Sequence, residues 1–322
     1  MVLGVEKPEC MRLRRYLNES ASKLVKDCDC SLLSGGIDTT YVISSHANLS
    51  NVTAYTVALP GSLDLEYAVK SAVKLGVYKH IVLKPSIEDY IEAVKWVIGK
   101  LVTINPVEVS ADASHYLALT RALEDGCNCI LSGDGGDELF LGYSFLFPKT
   151  DYELKKWIKR MVIKAWMPTI WVGDQIGLNV IAPLYSNAAK RVALEAPIHC
   201  LLDRGRRMGK LLLRRTLYER GLVDIALREK TPVTLGSGSQ KYLEEITMKS
   251  IKHVKGKLVE KKLEYKPSDP VQLYLGWLMI ENNIEPPKKC EDSSKACPVC
   301  GRCLENGYCK FCGAYIPNNE IQ

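Results

Sequence analysis

The chain has 322 residues, of which 47% are hydrophobic and 25% charged, and its formal net charge is +6. This length and composition are typical of a globular protein with one large domain or two. The sequence contains no run of 18 apolar residues and no signal peptide, so we expect a cytoplasmic protein that does not enter a membrane. The modest positive charge permits nucleic-acid binding but does not argue for it.

Strands and helices alternate in the first half of the chain. After a helix over residues 8–27, the pattern predicts strands over 28–33, 51–59, 80–83 and 127–131, and helices over 64–75, 87–101 and 111–124. Such alternation indicates βαβ units and a parallel sheet. Residues 145–288 read as helical without a further strand, and the tryptophans in this part are interpreted as packing anchors, namely Trp157, Trp166, Trp171 and Trp277.

A glycine-rich loop, residues 34–39, follows the first predicted strand and opens a helix. A Gly-Gly turn at a helix N-terminus presents backbone N–H groups to a phosphate, which can approach because glycine has no Cβ. Asp38 adds a hard oxygen that could hold Mg²⁺ beside a polyphosphate. The alternative is an ordinary strand–turn–helix junction.

A second loop, residues 132–138, follows the strand predicted at 127–131 and carries Asp134, Asp137 and Glu138 among three glycines. Clustered carboxylates repel one another unless a cation neutralises them. Ligands of parallel sheets bind at the carboxyl ends of the strands, so we expect both loops to face one site. The alternative is a solvated acidic turn.

Four segments, in this order along the chain, resemble the synthetase domain of glutamine-dependent asparagine synthetase and the related β-lactam synthetases. They are residues 33–40, which resemble the S-G-G-x-D-[ST] pyrophosphate loop, and residues 59–68, 131–143 and 228–238. The resemblance implies an α/β parallel-sheet ATP pyrophosphatase domain (adenine nucleotide alpha hydrolase-like) with a helical C-terminal half. It also implies an ATP-dependent carbon–nitrogen ligase, which activates a carboxylate as an acyl-adenylate, releases pyrophosphate and forms an amide.

The resemblance assigns roles to particular positions. It implies that Asp38 and Asp137 bind Mg²⁺ and that Lys230 stabilises charge at phosphorus. Asp134 stands where the family usually has a glutamate that acts as general base, and its reach is shorter. The positions implied to bind ATP are Leu33, Ser34, Gly35, Gly36, Asp38, Thr39, Val57, Ser132 and Gly133.

Two departures from the family pattern concern the nitrogen source and the substrate. Position 2 is Val and only 33 residues precede Ser34, so we expect no glutaminase domain here. Nitrogen would then come from free ammonia, a separate ammonia-supplying protein or an amine on the substrate. Asn179, Ile181 and Ser186 replace a Glu, an Arg and an Asp of the family, which argues against aspartate as the substrate. We expect a small-molecule or macromolecular carboxylate instead.

The last 33 residues contain two C-x-x-C-G knuckles, formed by Cys297 with Cys300 and by Cys309 with Cys312. Their spacing predicts a structural Cys₄ zinc ribbon, with disulfides as the alternative. Cys290 and Cys303 could exchange into this ligand set. The basic residues near the knuckles could contact RNA, namely Lys288, Lys289, Lys295, Arg302 and Lys310.

Two other functions are compatible with the sequence. One is a tRNA-modifying adenylating enzyme that binds tRNA through the zinc ribbon, although tRNA is not the favoured partner. The other is an inactive ATP-binding scaffold. We expect residues 1–145 to form the ATP pyrophosphatase core, 146–288 the helical part, and 289–322 the linker and ribbon. A homodimer is compatible with the sequence.

Four further cysteines flank the strands that lead to the two loops. They are Cys28, Cys30, Cys127 and Cys129. Alternate residues of neighbouring strands share a face, so these four could lie close together. They are interpreted as small buried hydrophobic residues. The alternative hypothesis is a cross-strand disulfide, which could form in a protein from a hyperthermophile.

Overall fold

The computed structural model describes residues 4–316. Its centre is a five-stranded sheet made of β1 (Cys30–Leu32), β2 (Thr53–Val57), β3 (Lys79–Leu83), β4 (Cys129–Leu131) and β5 (Asn179–Ile181). The strand order is β3-β2-β1-β4-β5, and every neighbouring pair is parallel. The predicted α/β class with a parallel sheet is therefore confirmed.

The order in which strands are added to the sheet reverses between β1 and β4. From β1 the chain proceeds outwards to β2 and β3, whereas β4 returns to the other side of β1 and β5 continues outwards. Ser31 lies opposite Leu131, the last residue of β4, so the two strands end within one residue of the same level. Ligands of open parallel sheets bind where the order reverses in this way. The loops after β1 and β4 therefore flank the natural ligand crevice of this sheet.

The helices begin and end at recognisable signals. Capping boxes start the helices at residues 87 and 151, formed by Ser86 with Asp89 and by Thr150 with Glu153. In chain order, helices α1 to α16 are Pro8–Val25, Ile37–Ser44, Leu65–Leu75, Ile87–Leu101, Pro106–Glu124, Gly136–Leu139, Asp151–Lys164, Pro168–Ile176, Asn187–Glu195, Ile198–Leu201, Leu211–Glu219, Val223–Ala226, Val233–Gly236, Ser239–Ser250, Gly256–Leu263 and Pro270–Glu281.

The chain divides into two compact units. The first contains the sheet and consists of the chain up to Ala58, Leu63–Leu83 and Ala118–Pro232. Its core is one apolar cluster, to which α1 contributes Leu17 and Val25 and α2 contributes Tyr41, all almost fully buried. Each such side chain stabilises the fold by about 1.5–3 kcal/mol. The cluster includes Leu33 and Leu131, so it anchors the ends of both loop-bearing strands.

The second unit is largely helical and consists of Leu59–Ser62, Lys84–Leu117 and the chain from Val233 onwards. Helix α16 packs against α4, α14 and α15. Tyr90 of α4 is buried, and its hydroxyl donates a hydrogen bond to the carbonyl oxygen of Ser239 at 2.9 Å. The two units are defined only by which residues pack together. They do not test the predicted boundaries after residues 145 and 288, which stay a prediction.

The sequence pattern missed one strand and misplaced one helix boundary. Strand β5 has only three residues, and Ala182 and Pro183 follow it directly, so it carries too short an apolar run to be recognised. Helix α5 begins at Pro106, earlier than predicted, because proline suits the first turn of a helix. Within residues 4–316, no helix combines the length and the apolar character that crossing a bilayer requires.

Eight of the twelve cysteines form disulfides. Cys28 pairs with Cys129 and Cys30 with Cys127, which links the chain around β1 to the chain around β4. The alternative hypothesis of a cross-strand disulfide is therefore the one that holds for these four residues. The other two pairs are Cys10 with Cys200 and Cys290 with Cys303.

Candidate active site

The loop after β1 has room only for glycine at its centre. Gly35 has a φ of +65°, and a Cβ at this position would overlap the backbone of Tyr67 in α3. The hydroxyls of the loop hold it in shape: Gly36 N donates to Ser34 Oγ, and Ser34 N donates to Thr39 Oγ1, each at 3.2 Å. The loop is therefore a tight turn that delivers Asp38 to the first turn of α2.

The loop after β4 lies directly against Asp38. A Cβ on Gly133 would be 2.8 Å from the Cβ of Asp38, and a Cβ on Gly136 would overlap the Asp38 carboxylate. Two glycines in the second loop thus make room for the acidic side chain of the first. The two glycine-rich loops adjoin at the point where the strand order reverses.

Two carboxylates and two lysines form a continuous cluster in this crevice. Lys210 Nζ lies 2.5 Å from Asp38 Oδ2 and 2.6 Å from Asp137 Oδ1. Lys230 Nζ lies 2.6 Å from Asp137 Oδ2 and 5.0 Å from the centre of the Tyr143 ring. We call Asp38, Lys210, Asp137 and Lys230 the carboxylate–lysine cluster. Three of its four members, Asp38, Asp137 and Lys230, are predicted from the sequence.

Burial and the neighbouring charges act differently on the two carboxylates. Burial raises the pKa of Asp38, and the nearby Asp137 charge adds to this, against the opposing effect of Lys210. Burial also acts to raise the pKa of Asp137, but Lys210 and Lys230 together hold it below its ordinary value. The pKa of Lys210 is raised because its two carboxylates outweigh burial. An additional cation would therefore stabilise the ionised form of Asp38 more than that of Asp137.

The arrangement fits a divalent cation bound by Asp38 and Asp137. Asp38 Oδ1 is buried and has no hydrogen-bond partner among residues 4–316. Carboxylate oxygens are the ligands that Mg²⁺ prefers, and Mg²⁺ in nucleotide sites is held by one or two carboxylates together with phosphates. When bound, Mg²⁺ would neutralise the negative charge of the carboxylates and of a polyphosphate.

The other predicted site residues lie at the ends of neighbouring strands or beside the loops. Leu33 follows β1, Val57 ends β2 and Ser132 follows β4, and all three are buried. Asp134 accepts a hydrogen bond from Thr169 Oγ1 of α8 at 2.9 Å. Lys230 therefore joins Asp38 and Asp137 in one cluster, whereas Asp134 is bonded to a different element.

Lys210 is the main residue that sequence reasoning missed. It is only 4% exposed and precedes α11 with a φ of +60°. Gly142 makes space for it, since a Cβ there would overlap the side chains of Lys210 and Asp137. A Cβ on the preceding Gly209 would overlap the carbonyl of Leu141. The signal in the sequence is the position of this lysine between a glycine and the apolar run Leu211–Leu213, which indicates a buried segment. Two of those leucines are indeed buried.

Arg228 connects the first loop to the segment that carries Lys230. Its NH2 group lies 2.5 Å from Asp64 Oδ1, its NH1 group donates to the Ser34 carbonyl oxygen at 3.3 Å, and its guanidinium stacks 4.0 Å from the Tyr67 ring centre. Because Lys230 follows two residues later, these contacts fix the position from which its ammonium group reaches Asp137. Sequence reasoning did not single out Arg228.

The four knuckle cysteines come together in the second unit. Their sulfurs all lie within 4.8 Å of one another, and all four residues are buried. Such a donor set suits zinc or an iron–sulfur cluster. Cys290 and Cys303 form a disulfide, so the predicted exchange of these two into the ligand set does not occur in this structure.

The knuckles are tightly packed within their own unit. Tyr308 donates a hydrogen bond to Glu108 Oε1 and accepts one from Asn105 Nδ2, both at 2.6 Å. The Arg302 guanidinium is buried, donates to the Leu263 carbonyl oxygen at 2.6 Å and lies 4.7 Å from the Phe311 ring centre. The cysteine knuckles are therefore an integral part of the second unit.

Asp137 and Asp38 should differ in their effect on stability. We expect Asp137→Asn to lower the free energy of unfolding at neutral pH by about 3 kcal/mol, because it leaves two lysines without their shared carboxylate. Asp38→Asn should cost less, since the ionised form of Asp38 is disfavoured by burial. Urea denaturation followed by circular dichroism measures both values.

The pH dependence gives a second check on the same pair. Because the folded-state pKa of Asp137 is depressed, its stabilising contribution is present above about pH 4, its unfolded value, and is lost as the pH falls through the folded value. The difference in free energy of unfolding between the native chain and Asp137→Asn should therefore become smaller in acid. Equal losses for the two variants at neutral pH would contradict the assignment.

A parallel α/β sheet with two glycine-rich, acidic loops at its switch point is the architecture that the resemblance to ATP pyrophosphatases implies. The asparagine synthase family model matches residues 12–199, which is more than half of the chain. The chain therefore belongs to the asparagine synthase family. Its match covers both loops and strands β1 to β5.

Known relatives match over part of their length. A protein of Methanocaldococcus jannaschii, by name a glutamine-hydrolysing asparagine synthetase, is 28% identical over 198 residues, which cover 58% of this chain and 36% of the relative. Asparagine synthetase B of Escherichia coli is 29% identical over 150 residues, which cover 41% of this chain and 27% of the relative. The chain thus matches about a third of the length of these relatives or less.

Among solved structures, the U34-tRNA thiolase NcsA from Methanococcus maripaludis with its [4Fe-4S] cluster is 15% identical and gives a TM-score of 0.36. The alignment covers 93% of this chain and 85% of the thiolase. A TM-score this low carries no inference about function.

The stretch that departs most from the family pattern forms the edge strand of the sheet. Asn179 and Ile181 begin and end β5, and the Ser186 hydroxyl caps α9 by accepting from Ala189 N at 3.2 Å. Strand β5 pairs with β4, which leads into the acidic loop. Asn179 and Ile181 therefore lie on the strand next to the one that leads into the acidic loop, whereas Ser186 lies beyond it at the start of α9.

Proposed function

We propose that this protein is an ATP-dependent amide-forming ligase that activates a carboxylate as an acyl-adenylate. The observation that carries the proposal is the carboxylate–lysine cluster at the switch point of an asparagine synthase-family sheet. It combines two carboxylates suited to Mg²⁺ with two ammonium groups suited to phosphate oxygens.

The proposed reaction has two steps. A carboxylate oxygen of the substrate attacks the α-phosphorus of ATP, the α–β phosphoanhydride bond breaks and pyrophosphate leaves. Ammonia or an amine then attacks the acyl carbon, AMP leaves with the bonding electron pair, and the surplus proton passes to a base. The first loop binds the pyrophosphate, and Leu33, Val57 and Ser132 line the adenosine pocket.

Two lysines and an aspartate carry the chemistry in this proposal. Lys230 stabilises the charge that develops on the phosphoryl oxygens and later on the tetrahedral carbon. Lys210 keeps the two carboxylates together and is a positioning residue. Asp134 accepts the proton of the amine, and its bond from Thr169 orients it for that role.

The nitrogen source is ammonia or an amine, supplied free, by a separate ammonia-producing protein or by the substrate itself. Relatives named as glutamine-hydrolysing enzymes support a route from glutamine through another polypeptide or domain. We place the reaction in the cytoplasm. The acceptor is a carboxylate other than aspartate, because Asn179 and Ile181 change the strand beside the site.

Exchange of labelled pyrophosphate into ATP tests the proposal. The assay is run with a panel of small carboxylates, with and without ammonia, and separately with bulk tRNA. Exchange that depends on a carboxylate supports the ligase. Exchange that appears only with tRNA would favour a tRNA-modifying adenylating enzyme, and ATP binding without exchange would favour an inactive scaffold.

We also propose that the cysteine knuckles bind a single structural Zn²⁺. Sulfurs at the corners of a tetrahedron around zinc lie about 3.8 Å apart when each Zn–S bond is about 2.3 Å. The Cys297–Cys312 and Cys300–Cys309 sulfur pairs are 3.8 Å and 3.5 Å apart, which supports one ion held by four thiolates.

Cys309→Ser is expected to remove the metal and destabilise the second unit. The free energy of folding in small zinc domains depends largely on the ion, so residues 289–316 should become sensitive to protease. Cys303→Ser is the matched control, because Cys303 lies outside the four-sulfur cluster. Elemental analysis should give one zinc per chain for the native protein and the control, and none for Cys309→Ser.

The absorption spectrum distinguishes zinc from iron. A native protein with a broad band near 400 nm and bound iron would contradict the zinc proposal. Loss of metal from Cys303→Ser would contradict the assignment of the four ligands.

A further inference from the structure

The outer face of helix α7 is strongly basic and exposed. Residues 154–173 contain five basic side chains and no acidic one. Lys156, Lys159, Arg160 and Lys164 are all exposed. Their spacing of three or four residues sets them on one side of the helix, about 5–6 Å apart. We call these four side chains the α7 basic face.

Several other helices of the first unit pair their exposed charges along the helix. Examples are Lys70 with Glu66, Arg121 with Asp125, and Arg191 with Glu195. None of the four cations of the α7 basic face forms an ion pair with another of residues 4–316. Four uncompensated charges within about three turns favour an anionic partner.

The opposite side of α7 is occupied by the protein itself. Leu154 and Ile158 are fully buried in the core of the first unit, and Trp157 Nε1 donates to the Glu138 carbonyl oxygen at 3.0 Å. A helix that lies in a membrane surface needs its apolar side free for lipid. Because α7 uses that side for its own core, its charged side fits a polyanion in solution better than a bilayer.

Aromatic side chains flank the basic face. Tyr152, in the first turn of α7, is 78% exposed, and Trp166, just beyond the helix, is 55% exposed. The interpretation of Trp166 as a packing anchor is therefore only partly right, although its ring contacts Trp171. Rows of cations with exposed aromatic rings bind single-stranded nucleic acids, because the cations follow the phosphates and the rings stack on the bases.

We propose that the α7 basic face binds a single strand of RNA. The bond from Trp157 to Glu138 ties the inner side of α7 to the loop that carries Asp137, so the RNA would lie across α7 from that loop, about one helix diameter away. The inference does not depend on the ligase chemistry proposed above. If both hold, a carboxylate or amine attached to RNA becomes a candidate substrate.

The cysteine knuckles are a weaker candidate for the same partner. Lys289, Lys295 and Lys310 lie 3.5, 3.1 and 2.8 Å from carboxylates of Glu264, Asp292 and Glu305. Arg302 is buried. Most of the basic residues that the sequence offered for RNA contact are thus already neutralised or enclosed. The exposed rings of Tyr152 and Trp166 distinguish the α7 basic face from the exposed lysines of α15.

The test is fluorescence anisotropy of the full chain with a labelled single-stranded RNA of about 20 nucleotides, long enough for a typical binding site. The variant Lys156→Gln/Lys159→Gln/Arg160→Gln/Lys164→Gln removes the four cations. Lys257→Gln/Lys261→Gln/Lys262→Gln/Lys266→Gln is the matched control, because it removes four exposed lysines from another surface. Each protein is titrated over a range of potassium chloride concentrations.

We expect the α7 variant to bind RNA at least about tenfold more weakly than the native chain. The slope of log affinity against log salt should fall by about 3, since each lost phosphate contact contributes about 0.7 for a single strand. The control should keep the native slope, and Tyr152→Ser should weaken binding to single-stranded RNA without changing the slope.

Three results would overturn the inference. They are no RNA binding by the native chain, equal losses in the α7 variant and the control, or binding to anionic phosphatidylserine vesicles where RNA does not bind. Pyrophosphate exchange with small carboxylates, measured on the same α7 variant, reports separately on the ligase. Failure of one proposal therefore does not affect the test of the other.

Discussion

Lys230→Ala should reduce carboxylate-dependent pyrophosphate exchange by at least about 100-fold, the usual effect of removing one preorganised group that stabilises developing charge. Affinity for ATP should change far less, because Asp38, the first loop and Lys210 remain in place. Stability should also change little, since the Lys230 side chain is 29% exposed and can be replaced by water. Exchange kinetics and equilibrium ATP binding give the two values.

Lys252→Ala serves as the matched control, because Lys252 is exposed and belongs to the second unit. It should leave both values unchanged. Lys230→Arg should recover part of the activity, since it keeps the charge but alters its position. Full activity in Lys230→Ala, or a loss that appears entirely as weaker ATP binding, would contradict the proposed role.

Lys210→Met should have the largest effect on stability, a loss of about 3–5 kcal/mol, because it leaves two buried carboxylates facing each other without their shared cation. Magnesium should reverse part of this loss. An ion that binds the folded state alone raises the melting temperature, and the two freed carboxylates of Lys210→Met should bind it more tightly than those of the native chain. Thermal denaturation with and without Mg²⁺ measures the effect.

Lys155→Met is the matched control, since Lys155 donates to the carbonyl oxygens of Leu194 and Ala196 and touches no carboxylate. Mg²⁺ should not restore its melting temperature. If Lys210→Met does not fold, Lys210→Arg keeps the cation and tests its position instead. A melting temperature of Lys210→Met that does not respond to Mg²⁺ would show that Asp38 and Asp137 do not form the cation site.

The sheet could be predicted because its strands carry strong local signals. Strands β1 to β4 each lie in a short apolar stretch of sequence that is followed by a glycine or polar residue soon after the strand ends. Strand β5 could not be predicted in this way: three residues that include Asn179 form a strand only because β4 offers its edge. Pairing between distant segments decides the structure there, and single-sequence periodicity does not report it.

The two loops of the candidate site could be predicted from the sequence, whereas the site residues outside these loops that matter most for packing could not. Asp38 and Asp137 sit in glycine-rich turns whose residue types already indicate phosphate and metal chemistry. Lys210 lies in no such motif, and its importance arises from tertiary packing that buries it between the two carboxylates. The same holds for Arg228, whose partners Asp64 and Ser34 lie more than 160 residues away in sequence.

The choice between disulfides and metal could not be read from cysteine spacing alone. Cys290 and Cys303 share the tail with the four knuckle cysteines, yet only the folded chain separates the disulfide from the four-sulfur cluster. For Cys28, Cys30, Cys127 and Cys129, the pairing depends on β1 and β4 being neighbours. That adjacency is a property of the sheet order.

The most direct test of the proposed site is the identity of the products formed from ATP. The native chain is incubated with ATP, Mg²⁺, ammonia and a carboxylate that supports exchange, and the nucleotides are separated by chromatography. We expect AMP and pyrophosphate in equal amounts, and neither product from Lys230→Ala. Formation of ADP and phosphate instead would contradict the assignment of the β1–β4 crevice to cleavage between the α- and β-phosphates.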